Sequence, residues 1–579
     1  MPSNASPSLE ERSATDLPAA DSWFFSKSFL ALLALALFVL ALTAPPNIGQ
    51  NNEHRMVAYV LDAVENNQWM CQHDEAGGIA SKPPMFCWLS ASATVLSGKI
   101  NRMTLYWPTA AATLALSWIL FHAGRKYFGK RVGFLAGWTY LISHAAFSQM
   151  TTCRYDGLFS LFVTLAALAA FDAWTTGRGW IWFWLASAAA TLTKGPLGLI
   201  MAATGLLAVF WERKSNEPQR LKGSQVSGVI IFLLITGGWF ALAYWQVGTD
   251  LIQKMINDEL LGHAIGDDKE NVSGPGFYKP LFWFITGFAP WSPLAVLGIW
   301  RAWKKPSENP NQRRFERFLV CYFVSGLLMF SLGGHHRSRL ILPLMPAAAL
   351  LASIQLARLT QNFSAARLGR NIVIATVAAL VGMGLYLHFI DSRSKSVRQT
   401  KAMRELAVKM KETVGEHFPF THADPPFAFP FELNQFHQFA SYSRAAELLR
   451  GEPAAFVVIE NLARLQKQMG TNVPAYHELM HWPSNGTPMV RIISNHPRLE
   501  WAEQMAVTAG PFLLEMKGAH LLKVQGGDFT FDAFGKSGSV KFVNSSKREK
   551  TIRARIENSS KQSFQEKQIK PGEAWLVEF

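Results

Sequence analysis

Long apolar stretches separated by short polar loops dominate the sequence from Phe29 to about Ile390. Each stretch is roughly 16 to 22 residues long, the length that an α-helix needs to cross a hydrocarbon core of about 30 Å. The pattern predicts a polytopic α-helical membrane protein with about eleven spans. Their predicted centres lie near residues 36, 113, 141, 164, 186, 204, 237, 289, 324, 348 and 380.

The N-terminal segment, residues 1–26, is rich in Ser, Pro, Ala and acidic residues and shows no periodicity. It is therefore predicted to be a disordered cytoplasmic tail. The first apolar stretch, Phe29 to Ala44, resembles a signal peptide only superficially, because Pro45 and Pro46 follow it and no small-x-small cleavage site ends it. We expect it to be a retained helix.

The cationic residues indicate the orientation of the spans, because Lys and Arg are retained on the cytoplasmic side of a membrane. With the N-terminus inside, basic clusters fall in each predicted inner loop, and the net charge of +15 follows mostly from this topology. Membrane lipids are therefore expected partners, and nucleic acid is not. The clusters are Arg125, Lys126, Lys130 and Arg131; Arg213, Lys214, Arg220 and Lys222; Arg301, Lys304, Lys305, Arg313 and Arg314; and Arg358, Arg367 and Arg370.

Two long loops are predicted on the outer side, residues 45–102 and 248–278, within a transmembrane domain of residues 27–390. In the first loop, Met56, Val57, Val60 and Leu61 recur at helical spacing, which predicts an amphipathic helix. Such a helix could lie on the outer membrane surface or pack on the helix bundle. The second loop contains Ser273-Gly-Pro-Gly276, a composition typical of a mobile flap.

The composition changes after Asp391, and an odd number of spans places this C-terminal part outside the cytoplasm. Residues 391–490 are predicted to form an α/β region, with an amphipathic helix from Lys401 to Val414 and a buried strand at 454–459. Residues 491–579 alternate apolar and polar positions between Asn, Ser, Gly and Pro, which predicts a β-rich region. Cys71 and Cys87 share the first outer loop, so they could form a disulfide or remain buried thiols.

The polar residues that are costly in a membrane gather on the predicted outer side of the bundle. They are Glu53, Arg55, Lys82, Arg154, Asp156, Lys194, His335, His336, Arg337 and Arg339. A cavity with carboxylates beside several cations suits a substrate that has a phosphate headgroup and a lipid tail. The cations would bind the phosphate, and a carboxylate could accept a proton.

Each of these residues also has a purely structural interpretation. Arg154 and Asp156 could pair with each other at a helix end, and Lys194 could extend its ammonium to the membrane interface. The adjacent histidines could be surface residues, and Glu53 could be an ordinary loop acid. The residues become informative through their order along the chain.

That order resembles the bacterial branch of the GT-C glycosyltransferases, in the protein O-mannosyltransferase superfamily, and particularly the aminoarabinose lipid A transferases. The resemblance covers about residues 27 to 390. The shared motifs are the acidic Asn52-Glu53 position after the first span, Lys82-Pro-Pro84, Arg154-Tyr-Asp156, Thr193-Lys-Gly-Pro196, Pro290-Trp291 and Leu342-Pro-Leu-Met-Pro346.

The resemblance implies a GT-C fold and an inverting transfer of a sugar from a polyprenyl phosphate carrier to a lipid A, glycan or protein acceptor. The reaction would take place at the outer face of the bacterial cytoplasmic membrane. Carried over by position, the catalytic residues would be Glu53, as acid/base, and Asp156, which would orient the acceptor or the first loop. The donor phosphate would be bound by Arg55, Lys82, Arg337 and Arg339. The rest of the substrate cavity would contain Asn52, Arg154, Lys194 and His335.

The chain departs from the family pattern at three positions. Asn52 stands where the family usually has Asp, so Glu53 must serve as the base or activity is altered. Ser81 stands where the aminoarabinose transferases have a Glu that helps hold zinc, so no metal and no other cofactor is predicted, although a divalent ion stays open. Leu340 replaces a family Tyr, and Arg337 or Arg339 would compensate.

Alternatives to the transferase remain at this point. A ligase or phosphotransferase would use the same phosphate-binding cations with a different nucleophile. A flippase of lipid-linked sugars would place its polar residues near the bilayer midplane, often on paired repeats, and neither feature is found in the sequence. A catalytically inactive relative with a binding role is a third alternative, which Asn52 keeps open. The C-terminal region would aid acceptor binding or stability.

Overall fold

The computed structural model of the chain describes the helical part almost completely and the C-terminal part in separate stretches. Up to residue 394 these are residues 26–44, 53–74, 77–212, 223–261, 276–333 and 337–394. Beyond it they are residues 397–398, 400–401, 404–405, 407–408, 421–423, 431–432, 441–450, 456–459, 461–469, 476–482, 490–495, 512–517, 521–526, 529–533, 539–544, 550–558, 561–570 and 573–578.

The chain divides into two compact units. The first comprises Met1–Pro45, Asp62–Gln72 and Ile79–Asp391, and the second comprises Pro46–Leu61, His73–Gly78 and Ser392–Phe579. The boundary at Asp391 coincides with the change of composition, whereas the assignment of two pieces of the first loop to the second unit was not predicted.

Within the described residues of the first unit the regular elements are helices, joined by non-helical loops such as residues 67–72 and 79–84. Its helices are α1 Lys27–Thr43, α2 Glu53–Glu65 (which begins in the second unit), α3 Met85–Ser97, α4 Arg102–Phe128, α5 Lys130–Leu141, α6 His144–Met150, α7 Asp156–Thr176, α8 Trp180–Lys194, α9 Leu197–Thr204, α10 Ala208–Glu212, α11 Val226–Val247, α12 Thr249–Ile252, α13 Lys279–Gly287, α14 Ser292–Lys304, α15 Pro310–Leu332, α16 Met345–Leu359 and α17 Ala365–Leu385. A 3-10 helix, Ser338–Leu344, leads directly into α16.

Six of the helical stretches in the described residues are long and apolar enough to cross a membrane, or seven if α13 and α14 are one span bent by 115°. Shorter helices occupy several of the predicted centres: α5 has 12 residues and α9 has 8. The helical membrane fold is therefore as predicted, whereas the number of about eleven spans stays a prediction. The six are Arg102–Phe128, Asp156–Thr176, Val226–Val247, Pro310–Leu332, Ser338–Leu359 and Ala365–Arg393.

Close helix packing depends on small residues where α4 meets α5. A Cβ built on Gly133 would lie 2.3 Å from the carbonyl oxygen of Phe121, well inside any allowed contact. Only glycine therefore lets these two backbones approach so closely. Elsewhere the core is filled by aromatic rings, and the Phe315 ring of α15 lies 4.3 Å from that of Tyr127 and 4.8 Å from that of Phe171. These contacts join α4, α7 and α15.

The first-loop helix is present as predicted, with Val57, Ala58 and Val60 of α2 buried. The two cysteines of that loop, Cys71 and Cys87, are buried thiols, and no disulfide joins any of the four cysteines, all of which lie in described residues. The alternative of buried thiols is thus the one observed. In the second outer loop, Thr249–Ile252 is α-helical and Gln253–Leu261 is π-helical. The predicted flap residues 273–275 lie outside the described part of the chain.

The second unit contains an α/β part with a four-stranded sheet in the order β1-β2-β4-β3. Strand β2 holds Val457, Val458 and Ile459, which are fully buried, as the apolar run predicts. The described positions between 397 and 408 are helical. The elements are β1 Thr421–His422, α18 Tyr442–Arg450, β2 Phe456–Ile459, α19 Leu462–Met469, β3 His477–Trp482 and β4 Val490–Ser494.

The end of the second unit consists of two antiparallel sheets. One has four strands in the order β10-β9-β6-β7, and the other has three in the order β11-β8-β5. The strands are β5 Phe512–Lys517, β6 Leu521–Gly526, β7 Phe529–Ala533, β8 Ser539–Asn544, β9 Lys550–Asn558, β10 Lys561–Ile569 and β11 Ala574–Glu578. In the larger sheet, β9 and β10 pair along their whole length, from Lys550 opposite Ile569 to Asn558 opposite Lys561.

Candidate functional site

Asp156 is the first residue of α7, and its side chain is only 1% exposed. The N-terminus of a helix has a partial positive charge, so a carboxylate is favoured at this position. The preceding residue, Tyr155, makes no side-chain capping hydrogen bond, and Asp156 is the acidic residue of the first turn.

Lys194 lies at the opposite type of helix terminus, in the last turn of α8. A cation is favoured there by the partial negative charge of the C-terminal carbonyls. Gly195 follows with φ of 96°, which a residue with a side chain rarely adopts, and Pro196 precedes the first residue of α9. The motif Thr193-Lys-Gly-Pro196 therefore ends one helix and begins the next, with its lysine at the break.

The two residues form a buried ion pair. The ammonium of Lys194 donates a hydrogen bond to Oδ1 of Asp156, and their side chains are 9% and 2% exposed. Lys194 thus points at a carboxylate inside the protein and does not extend to the interface. Because α7 and α8 are consecutive and pack together, the pair links the start of one helix to the end of the next.

Two aromatic rings enclose the ammonium of Lys194. Its Nζ lies 5.5 Å from the ring centroid of Tyr155 and 5.3 Å from that of Phe159. Both distances are within the range of cation–π attraction. Sequence reasoning missed these rings, although Tyr155 is the middle residue of Arg154-Tyr-Asp156 and Phe159 lies one helical turn beyond Tyr155.

Arg339 approaches the same carboxylate from the 3-10 helix. Its Nε lies 4.0 Å from Oδ2 of Asp156, an oxygen that accepts no hydrogen bond from the described residues. The 3-10 helix is held at Pro343, whose carbonyl accepts a 2.7 Å hydrogen bond from the hydroxyl of Tyr322. Pro346 has no N–H to supply that bond, so the tyrosine replaces a missing backbone donor.

The cluster of Asp156, Lys194 and Arg339 contains two cations and one carboxylate. Its net charge is positive, and Arg339 is the most accessible member, with 21% of its side chain exposed. A buried site with excess positive charge attracts an anion, since unpaired charge is costly away from water. The free Oδ2 of Asp156 could in addition accept a hydrogen bond from a hydroxyl group.

The predicted acid/base residue belongs to the second unit. Glu53 is the first residue of α2 and is 2% exposed. Its neighbour His54 is also buried, and desolvation together with the charge of Arg55 lowers the pKa of His54 to about 4. Arg55 itself is 48% exposed and pairs with Asp74 at 3.7 Å, a partner that the sequence did not reveal.

The other predicted residues are distributed as follows. Lys82 is half-buried in the bend before α3, Arg337 is half-buried at the start of the 3-10 helix, and Arg154 is buried, two residues before α7. Asn52 and His335 lie outside the described residues. Within the described ranges no three His, Cys, Asp or Glu side chains come together as metal ligands would.

Comparisons with known proteins bear on the same region. Residues 81–239, which include Lys82, Asp156 and Lys194, match the model of the dolichyl-phosphate-mannose-protein mannosyltransferase family. Undecaprenyl phosphate-alpha-4-amino-4-deoxy-L-arabinose arabinosyl transferase 2 of Proteus mirabilis is 27% identical over 332 residues, covering 56% of this chain and 58% of that protein. The corresponding transferase of Pectobacterium carotovorum is 24% identical over 374 residues, covering 61% and 65%. The chain thus spans less than two thirds of each of these relatives.

A solved structure matches more of the chain. The crystal structure of ArnT from Cupriavidus metallidurans bound to undecaprenyl phosphate superposes with a TM-score of 0.66 at 15% identity, covering 83% of this chain and 99% of that one. Its apo form gives a TM-score of 0.63 over the same shares. At this identity the likeness shows the fold. The chain therefore has the GT-C fold of the Cupriavidus ArnT, and its predicted resemblance to bacterial aminoarabinose transferases is confirmed.

Proposed function

We propose that this protein is an integral membrane glycosyltransferase. It moves a sugar from a polyprenyl phosphate carrier to a lipid, glycan or protein acceptor at the outer face of the bacterial cytoplasmic membrane. The N-terminus lies in the cytoplasm, and the region after Asp391 lies outside. The observation that carries the proposal is the buried cluster of Asp156, Lys194 and Arg339, built within the fold of a protein that binds undecaprenyl phosphate.

The cluster supports a phosphate-bearing donor for two reasons. Its excess positive charge suits the single negative charge of a phosphodiester, and its two cations differ in role. Lys194 is held by Asp156 and by the rings of Tyr155 and Phe159, so it is preorganised, whereas Arg339 is partly exposed and can follow the ligand. Preorganised donors stabilise charge that develops on a leaving group without reorganising during the reaction.

The proposed reaction is a direct displacement at the anomeric carbon. The acceptor oxygen forms a bond to that carbon from the side opposite the phosphate, the carbon–oxygen bond to the phosphate breaks, and the configuration inverts. The bonding electrons leave with the polyprenyl phosphate, and the proton of the acceptor hydroxyl passes to a carboxylate. A positioned general base of this kind contributes about 100- to 10,000-fold in rate.

Roles follow from residue chemistry and from position in the family motifs. Glu53 is the proposed general base, because Asn52 cannot take a proton. Lys82, Arg337 and Arg339 are the proposed phosphate ligands. Arg55, whose side chain is half exposed and lies 3.7 Å from Asp74, can exchange that partner for a phosphate oxygen. Asp156 holds Lys194 and offers its free Oδ2 to the acceptor.

Mass spectrometry of cell-envelope glycolipids and glycoproteins, with and without the gene, tests the function and identifies the acceptor. We expect one sugar substituent to disappear without the gene and to return with the wild-type protein. It should not return with the Asp156→Asn variant expressed at the same level. An unchanged set of glycolipids and glycoproteins would contradict the proposal.

A further inference from the structure

A second cluster of charged residues joins four helix ends of the first unit, and the proposed transfer reaction does not use it. Glu212, at the end of α10, is 1% exposed. Its Oε1 lies 2.5 Å from Nη1 of Arg317 and 3.6 Å from Nε of Arg313, both in the first turns of α15. These ion pairs fix α10 to α15.

The cluster continues to the ends of α14 and α16. Glu316, 4% exposed, pairs with Nη2 of Arg358 at 3.5 Å. Oε1 of Gln355 accepts hydrogen bonds from Nη1 of Arg301 at 3.0 Å and from Nη1 of Arg358 at 3.5 Å. We call this set the arginine cluster.

The arginine cluster lies at the far end of α7 from Asp156. Near that end Asp172 accepts hydrogen bonds from Lys126 and from the hydroxyl of Tyr127, and the carbonyl of Tyr127 accepts one from Gln312 of α15. Sixteen residues separate Asp156 from Asp172. At 1.5 Å per residue this is about 24 Å of helix. The two clusters are thus separate sites.

The charges of the arginine cluster do not balance. Within the described residues, four guanidinium groups, of Arg301, Arg313, Arg317 and Arg358, gather around two carboxylates, of Glu212 and Glu316. The predicted topology already favours cations on this side of the membrane, but their close approach is costly because like charges repel one another, so a bound anion would stabilise the cluster. Lys304 and Lys305, exposed at the end of α14, add two further cations.

Part of this surplus is open to the surroundings. The side chain of Arg358 is 38% exposed, and that of Arg313 is 21% exposed. The buried carboxylates therefore anchor the inner side of the cluster, while its outer side presents guanidinium groups. Guanidinium binds phosphate oxygens in a bidentate manner.

Tryptophans lie directly beside these cations. The guanidinium of Arg317 lies 5.1 Å from the ring of Trp211, which lies 6.1 Å from the ring of Trp303. Trp303 is 69% exposed and Trp300 is 50% exposed. Exposed tryptophans are typical of the membrane–water interface, where their rings lie among lipid headgroups. A ligand at this place meets both an apolar surface and a group of cations.

We propose that the arginine cluster binds the headgroup of an anionic phospholipid, with the acyl chains against Trp300 and Trp303. Basic pockets between helix ends on the cytoplasmic side bind such headgroups, and the positive charge of this side is what the sequence predicts. The negative charge of the headgroup offsets the excess positive charge at the ends of α10, α14, α15 and α16. This function goes beyond the proposed sugar transfer and does not depend on it.

The test uses the full chain purified in a neutral detergent and titrated with phosphatidylglycerol or with phosphatidylcholine. Native mass spectrometry counts the bound lipid, and the thermal midpoint reports the stabilisation. We expect retention and stabilisation by phosphatidylglycerol alone. In the variant Lys304→Gln/Lys305→Gln/Arg313→Gln, which leaves Glu212 paired with Arg317, the affinity should fall at least tenfold, since each cation near an anionic surface contributes about fivefold.

Two matched variants keep this test decisive. Lys304→Arg/Lys305→Arg/Arg313→Lys retains the charge and should retain the lipid, which separates loss of charge from damage to the fold. Lys401→Gln/Lys467→Gln/Lys570→Gln removes the same charge from exposed sites of the second unit and should bind normally. The proposal would be overturned if both lipids bound equally, or if inorganic phosphate at equal concentration displaced bound phosphatidylglycerol. Unchanged lipid affinity in Lys304→Gln/Lys305→Gln/Arg313→Gln would also overturn it.

Discussion

The ammonium of Lys194 donates a hydrogen bond to Oδ1 of Asp156 in a setting that is almost free of solvent, with 9% and 2% of the two side chains exposed. Each residue also lies at the helix terminus whose dipole favours its charge. The pair is thus supported by local helix electrostatics, by direct contact and by two aromatic rings.

Removal of one partner of this pair should destabilise the protein strongly. Lys194→Met leaves the carboxylate of Asp156 buried with a single distant cation, and the loss of a partner from a buried ion pair costs about 3 to 5 kcal/mol. Denaturant unfolding in detergent would measure it. Lys126→Met is the matched control, because its 2.7 Å pair with Asp172 is half exposed and should contribute about 1 kcal/mol or less. Equal effects of the two substitutions would contradict the assignment.

Arg339 should affect donor binding more than the stability of the fold. Because its side chain is partly exposed and its Nε is 4.0 Å from Asp156, Arg339→Gln should raise KM for the lipid-linked donor by about 10- to 100-fold, as loss of a charge-assisted hydrogen bond costs about 1.5 to 3 kcal/mol. The KM of Arg339→Lys should lie between that of the wild type and that of Arg339→Gln. Arg367→Gln, at an exposed arginine over the ring of Phe363, should leave the kinetics unchanged. A fall in kcat with KM unchanged would indicate a different role.

His54 should make the protein sensitive to acid. Its folded pKa is about 4, lowered by burial and by Arg55 from the ordinary 6.5. Between these two values the unfolded chain binds a proton that the folded chain does not, so stability falls as the pH drops through this window. The fall amounts to roughly 3 kcal/mol and ends below about pH 4, where both states are protonated. As the pH falls from 7 to 4, the thermal midpoint should decline less in His54→Gln than in the wild type. An equal decline of the midpoint in both proteins would rule out this role of His54.

The Cys71 thiol should be inert in the folded protein. Burial raises its pKa to about 11, with a smaller contribution from the nearby carboxylate of Asp62, so very little thiolate is present at pH 8. Alkylation by iodoacetamide, followed by mass spectrometry, should modify this residue only after denaturation. Rapid labelling of the native protein, or a peptide pair joined by a disulfide between Cys71 and Cys87, would contradict the observed state.

The helical membrane fold could be predicted because its signal is spread over whole segments. Runs such as Val226–Val247 must be helical to satisfy their backbone hydrogen bonds in lipid, whatever their neighbours are. The number of membrane spans is harder to predict where helices are short, as in α9, whose 8 residues lie between Pro196 and a 3-10 turn. Apolar composition alone does not reveal where such a helix breaks.

The chemistry of the site could be predicted only in part. Asp156, Lys194 and Arg339 stood out as charges within apolar sequence, but their mutual contact depends on how α7, α8 and the 3-10 helix pack. The ring of Phe159 carried no signal, because an aromatic residue in a membrane helix is usually part of the core, and Tyr155 was marked only by its place within Arg154-Tyr-Asp156. Asp74, the partner of Arg55, lies in an ordinary polar loop and was not distinguishable from other loop acids.

The most direct test of the central claim is the release of undecaprenyl phosphate from a lipid-linked sugar by the purified protein. The full chain is incubated in lipid vesicles with a radiolabelled undecaprenyl-phosphate-linked aminopentose and with lipid A as acceptor, and free undecaprenyl phosphate is measured. We predict that the wild type releases undecaprenyl phosphate and that the rate of release falls at least 100-fold in Glu53→Gln, as expected for loss of a general base. Movement of the intact donor across the membrane without cleavage, or undiminished release by Glu53→Gln, would contradict the account.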